Sequence, residues 1–209
     1  MALLTLLPSS LPTRLLAQSD PNAILTRAAQ AYAAAGSLEA NFTQVIADEN
    51  IGTFRSRGRL AQQGNDRFAM RFSDPRGEAL VMDGTKLWIY TPSTTPGQVI
   101  RTAQPTGSGA PNLVAWLLDR PTAKYQATYV RRDSTGAETV RLVPRDPSIP
   151  FREATVTFAA SDGLPRKIDV LERTGTRRTL TLTSVRSGRR LRASTFQFQV
   201  PSGVRIVDQ

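Results

Sequence analysis

Four carboxylates fall close together in the chain: Asp66, Asp74, Glu78 and Asp83. Paired carboxyl groups can divide the acid and base roles of a hydrolysis, one protonating a leaving group while the other activates water. Catalysis would fall to them by default, because the 209-residue chain has no histidine and no cysteine. That excludes imidazole acid–base chemistry, thiolate nucleophiles, Ser-His-Asp triads, thiolate zinc sites and disulfides. All four carboxylates stand at turns or turn edges, where Asp and Glu serve the backbone. Nothing beyond nearness in sequence supports an enzyme, so the reading is a non-enzyme with no cofactor and no metal.

The second chemistry on offer is positive charge. Formal net charge is +10, and all 27 basic residues except Lys86, Lys124 and Lys167 are arginine. Such a balance draws a protein toward anionic surfaces, acidic partners or nucleic acid. Most of these arginines are scattered at outward strand positions and form no block, as the codon bias of a GC-rich genome would produce. Arg55, Arg57, Arg59, Arg67 and Arg71 beside Phe68 and Phe72 would give a nucleic acid both phosphate contacts and stacking platforms. Alternation puts those aromatics on the face opposite Arg71, which separates the two functions. Nucleic acid is therefore not the expected partner.

The third chemistry is adhesion to something apolar. Phe68, Met70 and Phe72 share one face of an extended segment, and Trp88 and Tyr90 share one face of another, with Leu87 and Ile89 opposite. Period-2 spacing argues strand. The residues chosen for an apolar interior are Phe42, Phe54, Leu60, Phe68, Met70, Phe72, Trp88 and Tyr90, with Leu113, Trp116 and Leu117 from a helix above them. Periodicity by itself fits an ordinary sealed core built from the same residues. It also leaves open whether Trp88 and Tyr90, or Leu87 and Ile89, face that interior.

These residues need elements to hold them. Asp20-Pro21 starts a helix that runs to Ala35, with Ile24, Leu25, Ala28, Ala29, Tyr32 and Ala33 as its apolar stripe and Gly36 as its stop. Alternation then predicts strands over 37–47, 53–62, 67–72, 78–82, 87–90 and 99–102, with Asp83-Gly84 a turn. Residues 103–110 are Gly-, Ser- and Pro-rich. Residues 111–118 read as a short helix apolar nearly all round, which must be covered or must cover something. Beyond Pro121 come strands over 125–131, 138–144, 151–158, 165–172, 178–185 and 193–200, separated by Gly-containing turns. The absence of a βαβ rhythm predicts a mainly antiparallel sheet, and no composition shift divides residues 20–209. Residues 1–19 read as a signal peptide or a disordered tail, with a small residue at Ala17 and a polar mature start at Gln18. Their apolar run is too short to span a bilayer.

Taken together, Ala40-Asn-Phe-Thr-Gln44, Gly58-Arg-Leu60, Arg67-Phe68 with Met70 and Phe72, Asp83-Gly-Thr-Lys-Leu-Trp-Ile-Tyr90, Asp162-Gly-Leu-Pro165, Phe196-Gln-Phe198 and Pro201-Ser-Gly-Val204 resemble the LolA family of periplasmic lipoprotein carriers. The resemblance spans residues 20 to 207. It implies an incomplete, strongly curved antiparallel β-barrel with a helical lid over an apolar cavity. It implies a soluble, monomeric periplasmic carrier of lipoprotein acyl chains. Its partners would be an inner-membrane ATP-driven (ABC) lipoprotein-releasing transporter and an outer-membrane receptor. The receptor shares the fold but is lipid-anchored, and the missing cysteine favours the carrier. Relatives of the same fold that sense lipoproteins or shuttle other lipids are the alternative. Two positions depart from the family pattern. Gly64 stands where such carriers have an arginine that bonds to the lid, and Met70 where they typically have tryptophan.

Overall fold

A computed structural model describes residues 19–103 and 112–209. The leader expected before Ser19 and nearly all of the Gly/Ser/Pro-rich stretch after Thr102 lie outside the described residues. Helix α1 (Pro21–Ala35) begins where the Asp20 carboxylate accepts the N–H of Asn22 at 2.9 Å. It ends at Gly36, whose φ of 64° only glycine adopts at no cost. Helix α2 (Leu113–Leu118) is capped by the Asn112 side chain, which accepts the N–H of Ala115 at 3.2 Å. A single turn, α3 (Pro121–Lys124), follows it.

Among the described residues, twelve strands make one sheet. Six precede α2: β1 (Ser37–Asp48), β2 (Gly52–Gln63), β3 (Arg67–Asp74), β4 (Arg76–Asp83), β5 (Lys86–Tyr90) and β6 (Gln98–Ala103). Six follow α3: β7 (Tyr125–Arg132), β8 (Glu138–Pro144), β9 (Phe151–Phe158), β10 (Pro165–Glu172), β11 (Arg177–Ser187) and β12 (Arg205–Asp208). Their order is β12-β6-β5-β4-β3-β2-β1-β11-β10-β9-β8-β7, so the sheet is open, with β12 and β7 at its rims. Each of these pairings is antiparallel except β12 beside β6. Along β7 the register with β8 slips between Tyr129 and Arg131, a bulge on the rim strand, and Val130, Arg131 and Arg132 there are exposed.

Register assigns each residue to a face, because side chains directly opposite each other share one. On the helix-covered face lie the rows Leu182–Phe42–Gly58–Phe72, Leu60–Met70–Leu80–Ile89 and Gln62–Phe68–Met82–Leu87. On the outer face lies Ala61–Ala69–Val81–Trp88–Arg101. The small residues of that row leave room for a second, smaller core. Phe196 is buried there against Ala61, Ala69, Ala79 and Val81, with Trp88, Leu191 and Phe198 around it.

The strand expected over 193–200 is instead a 3-10 turn, Ala193–Phe196, followed by extended chain that joins no ladder. Phe196 and Phe198 do alternate, but the segment lies across the outer face rather than along a strand. The Arg71 guanidinium donates to the carbonyls of Thr195 and Gln197, at 3.3 and 2.8 Å, where a sheet neighbour would have used ladder bonds. The helix α3 and the strand β12 were not predicted. β12 is pinned at the rim by a two-bond ion pair from Arg101 to Asp208, at 2.6 and 2.7 Å.

Candidate functional site

The covered face is an apolar surface with its own cover. Ile24, Leu25 and Ala28 of α1 and Val114, Leu117 and Leu118 of α2 are buried in one cluster with Phe42, Leu60, Phe68, Met70, Met82 and Leu87 of the sheet. Phe42, Leu60, Phe68, Met70 and Leu117 are each no more than 4% exposed, so as folded the space beneath the helices is filled by side chains. Leu113 and Trp116 are half-buried at the edge of the cover, and Trp116 meets Phe151 edge-on at 5.3 Å. Phe72 is half-buried and stands edge-on to Phe42 at 5.1 Å. The two rings meet above Gly58, where a methyl group would lie 2.1 Å from the Arg71 carbonyl oxygen.

Three of the residues expected at this face are elsewhere. Trp88 and Tyr90 are on the outer face, where both pack against the Phe198 ring at 5.6 Å. The register leaves no choice: Met82 pairs with Leu87 and Leu80 with Ile89, so Leu87 and Ile89 hold the inward positions. Trp88 is fixed there by donating its Nε1–H to Asp83 at 2.9 Å and by the Arg101 guanidinium over its ring. Phe54 has the right parity but lies beyond the cover, beside the β1–β2 turn, and is 54% exposed. Alternation reports which residues share a face; it is silent on how far along a strand the cover reaches.

A polar seam runs under the cover, which apolar spacing does not signal. Tyr32 of α1, Gln62 of β2 and Asn112 at the start of α2 converge there. Gln62 and Asn112 are 2% and 1% exposed. Among the described residues, the Tyr32 hydroxyl, Gln62 Oε1 and Asn112 Nδ2 are buried without completing a hydrogen bond. Burial pushes the Tyr32 phenol above its ordinary pKa, and the Gln62 and Asn112 amides beside it only partly offset that. The available signal was Gln62 itself, a polar residue two positions after Leu60 at an inward position. A cleft of about 370 Å³ opens along this seam between α1, α2 and the β2–β3 turn. Gly64 lines it and donates its N–H to the Gly36 carbonyl at 2.9 Å, so the tie here is backbone to backbone.

Helix α1 has a second tether. Glu138 of β8 accepts from Arg27 at 2.7 Å and from Arg132 at 2.8 Å. Burial works to raise its pKa, but Arg132 above all, with Ser19 and the Arg27 charge, holds it below the usual carboxylate range. Between α2 and α3, Arg120 takes a φ of 46°, a left-handed conformation unusual for a side chain with a Cβ.

The four clustered carboxylates sit in different surroundings. Glu78 accepts from Ser93, Asp74 stands 3.7 Å from Arg57, and Asp66 lies at the Gly64 and Gly84 turns. Asp83 accepts from Trp88, Thr85 and Lys86. Burial opposes its charge, yet these bonds prevail and hold its pKa down to about 2.

Comparison with known proteins agrees with this architecture. Residues 33–199 match the family described as outer membrane lipoprotein carrier protein LolA. The outer-membrane lipoprotein carrier protein of Alkalilimnicola ehrlichii is 25% identical over 173 residues, 82% of this chain and 78% of that protein. That of Xanthomonas oryzae pv. oryzae is 29% identical over 177 residues, 81% of each chain. Among solved structures, an uncharacterized conserved protein from Thermus thermophilus shares the fold with a TM-score of 0.57. It is 15% identical, and the match covers 90% of this chain and 98% of that one. An open sheet under a helical cover and a family match over most of its length say the same thing: this chain belongs to the LolA family.

Proposed function

We propose that the protein is a periplasmic carrier that shelters lipoprotein acyl chains beneath α1 and α2 and performs no catalysis. It receives the cargo from an inner-membrane ATP-driven releasing complex and delivers it to an outer-membrane receptor. The observation that carries this reading is the under-bonded seam at Tyr32, Gln62 and Asn112. A permanently sealed core has reason to pair or exclude such groups, since each one left unsatisfied costs about 1–3 kcal/mol. A cover that lifts returns them to water.

The magnitudes favour an exchange of cover for cargo. Exposing Val114, Leu117 and Leu118 costs about 1.5–3 kcal/mol apiece, which is of the same order as the hydration regained by the three seam atoms. An acyl chain of about 16 carbons brings roughly 12 kcal/mol of transfer energy, at ~0.8 kcal/mol per CH₂. It can therefore replace the helices against the sheet. Phe42, Leu60, Phe68, Met70 and Phe72, with Leu113, Trp116 and Leu117 above, offer dispersion contacts that need no fixed geometry. α2 and α3 have six and four residues, too short to hold as helices without the packing they would give up.

The test is binding of a fluorescent fatty-acid probe, with mass spectrometry of lipid retained on protein purified from the native envelope. Probe binding is expected, and Met70→Glu is expected to weaken it while the sheet's circular dichroism persists. A folded protein that neither binds the probe nor retains lipid would overturn the carrier reading. Loss of all structure in Met70→Glu would show instead that the core beneath the helices is sealed.

A further inference from the structure

On the outer face, away from the covered site, β1, β2, β3 and β11 form a second cleft of about 480 Å³. Its lining includes Arg59, Arg71, Arg186, Asn41, Ser184 and Thr195. Register makes Arg59 directly opposite Arg71, with Asn41 on the other side of Arg59. Like charges directly opposite on neighbouring strands are destabilising. Among the described residues, no ion pair involves Arg59, Arg71 or Arg186, while Arg57, two positions before Arg59, pairs with Asp74. Arg71 is held in place by two neutral carbonyls, which fix its direction and leave its charge intact.

The backbone is also shaped around the cleft. The β1–β11 register slips between Glu39 and Asn41, so that Ser184 and Val185 both stand opposite Ala40. Ser184 takes a φ of 52°, a left-handed conformation that a serine adopts at some cost, and it lines the cleft. One carboxylate, Glu39, shares the lining. Three guanidiniums against one carboxylate leave the cleft positive.

The geometry points to a binding site for a phosphate ester that carries a neighbouring hydroxyl, such as glycerol phosphate, either free or as a phospholipid headgroup. Guanidiniums are planar, doubly donating partners for phosphate oxygens. The Asn41 amide and the Ser184 and Thr195 hydroxyls supply further donors. Glu39 would repel a bare anion but accepts a hydrogen bond from an adjacent hydroxyl, which selects an ester of a polyol over a simple phosphate. The site lies on the opposite face of the sheet from the acyl-chain site and does not depend on the carrier reading.

The experiment is calorimetric titration of the full chain with glycerol phosphate and with inorganic phosphate, beside co-sedimentation with phosphatidylglycerol and phosphatidylcholine vesicles. Arg59→Gln and Arg186→Gln are each expected to weaken binding by about tenfold, the loss of one charge-assisted contact. Arg145→Gln, on the turn after β8, is expected to leave it unchanged. Arg59→Gln should melt no lower than the parent, because it relieves the Arg59–Arg71 repulsion, so lost binding there is not lost folding. Binding of soluble glycerol phosphate without vesicle binding assigns a free ester. Vesicle binding that needs Arg59 and Arg186 and prefers phosphatidylglycerol assigns the headgroup. No binding in any arm, inorganic phosphate preferred over the ester, or an equal loss in Arg145→Gln overturns the proposal.

Discussion

Two residues show how closely this sheet is specified. Gly58 lies at a crossing where β2 and β3 approach too closely for any side chain, since a Cβ would stand 2.1 Å from a backbone oxygen and 2.8 Å from the Phe72 Cα. Backbone cannot rotate away as a side chain can. Gly58→Ala is therefore expected to lower stability by about 1–3 kcal/mol, read as a shift in urea midpoint, and to part the Phe42 and Phe72 rings. Asp83 carries a different constraint. Its pKa is held down to about 2, against an ordinary 3.8, so its charged form stabilises the fold above pH 4 and that contribution fades as pH falls toward 2. Wild type should lose more stability than Asp83→Asn across that interval, and their melting temperatures should converge at its acid end. Both glycine and aspartate stood in motifs visible in the sequence. Their reasons did not, because a close crossing and a four-bond carboxylate are facts about neighbours.

At the scale of elements, the strands were legible wherever local alternation agreed with the final packing. The bounds of β8, β9 and β10 are those the pattern predicts, and α1 begins and ends on its capping residues. The misses share a cause. Residues 193–200 alternate like a strand, but their partner is a flat patch of Ala61, Ala69 and Ala79 on three different strands, and no local pattern records that. Alternation leaves open which side of β5 faces inward, and the small residues across the outer face are the better guide to where the Trp88 and Tyr90 rings fit. The seam is hidden for the opposite reason: Tyr32 reads as part of an apolar stripe, and Gln62 and Asn112 carry no apolar signal at all. Tyr32→Phe tests its role. Removing a buried hydroxyl that completes no hydrogen bond among the described residues should raise stability by about 1 kcal/mol. It should also slow uptake of a fatty-acid probe in stopped-flow mixing, because the cover then has less to gain from lifting. Faster uptake in that variant would instead make the hydroxyl a latch.

At the scale of the molecule, one sheet serves two faces with opposite chemistry. The covered face gathers Phe, Met and Leu, and two clefts of the outer face gather arginines. Residues far apart in the chain, such as Arg59 and Arg186, become neighbours only through the β1–β2 and β1–β11 pairings. A sheet that never closes into a ring must also protect its ends from other copies of itself. β12 and β7 each keep one free flank; on β7 the kink between Tyr129 and Arg131 spoils the template, and exposed Arg131 repels an identical strand while Arg132 is paired with Glu138. Replacing Arg131 with threonine, leaving the Arg132–Glu138 pair in place, should let molecules zip flank to flank, seen as higher-mass species in light scattering that grow with concentration. Solubility in this protein would then depend on a single guanidinium at one margin.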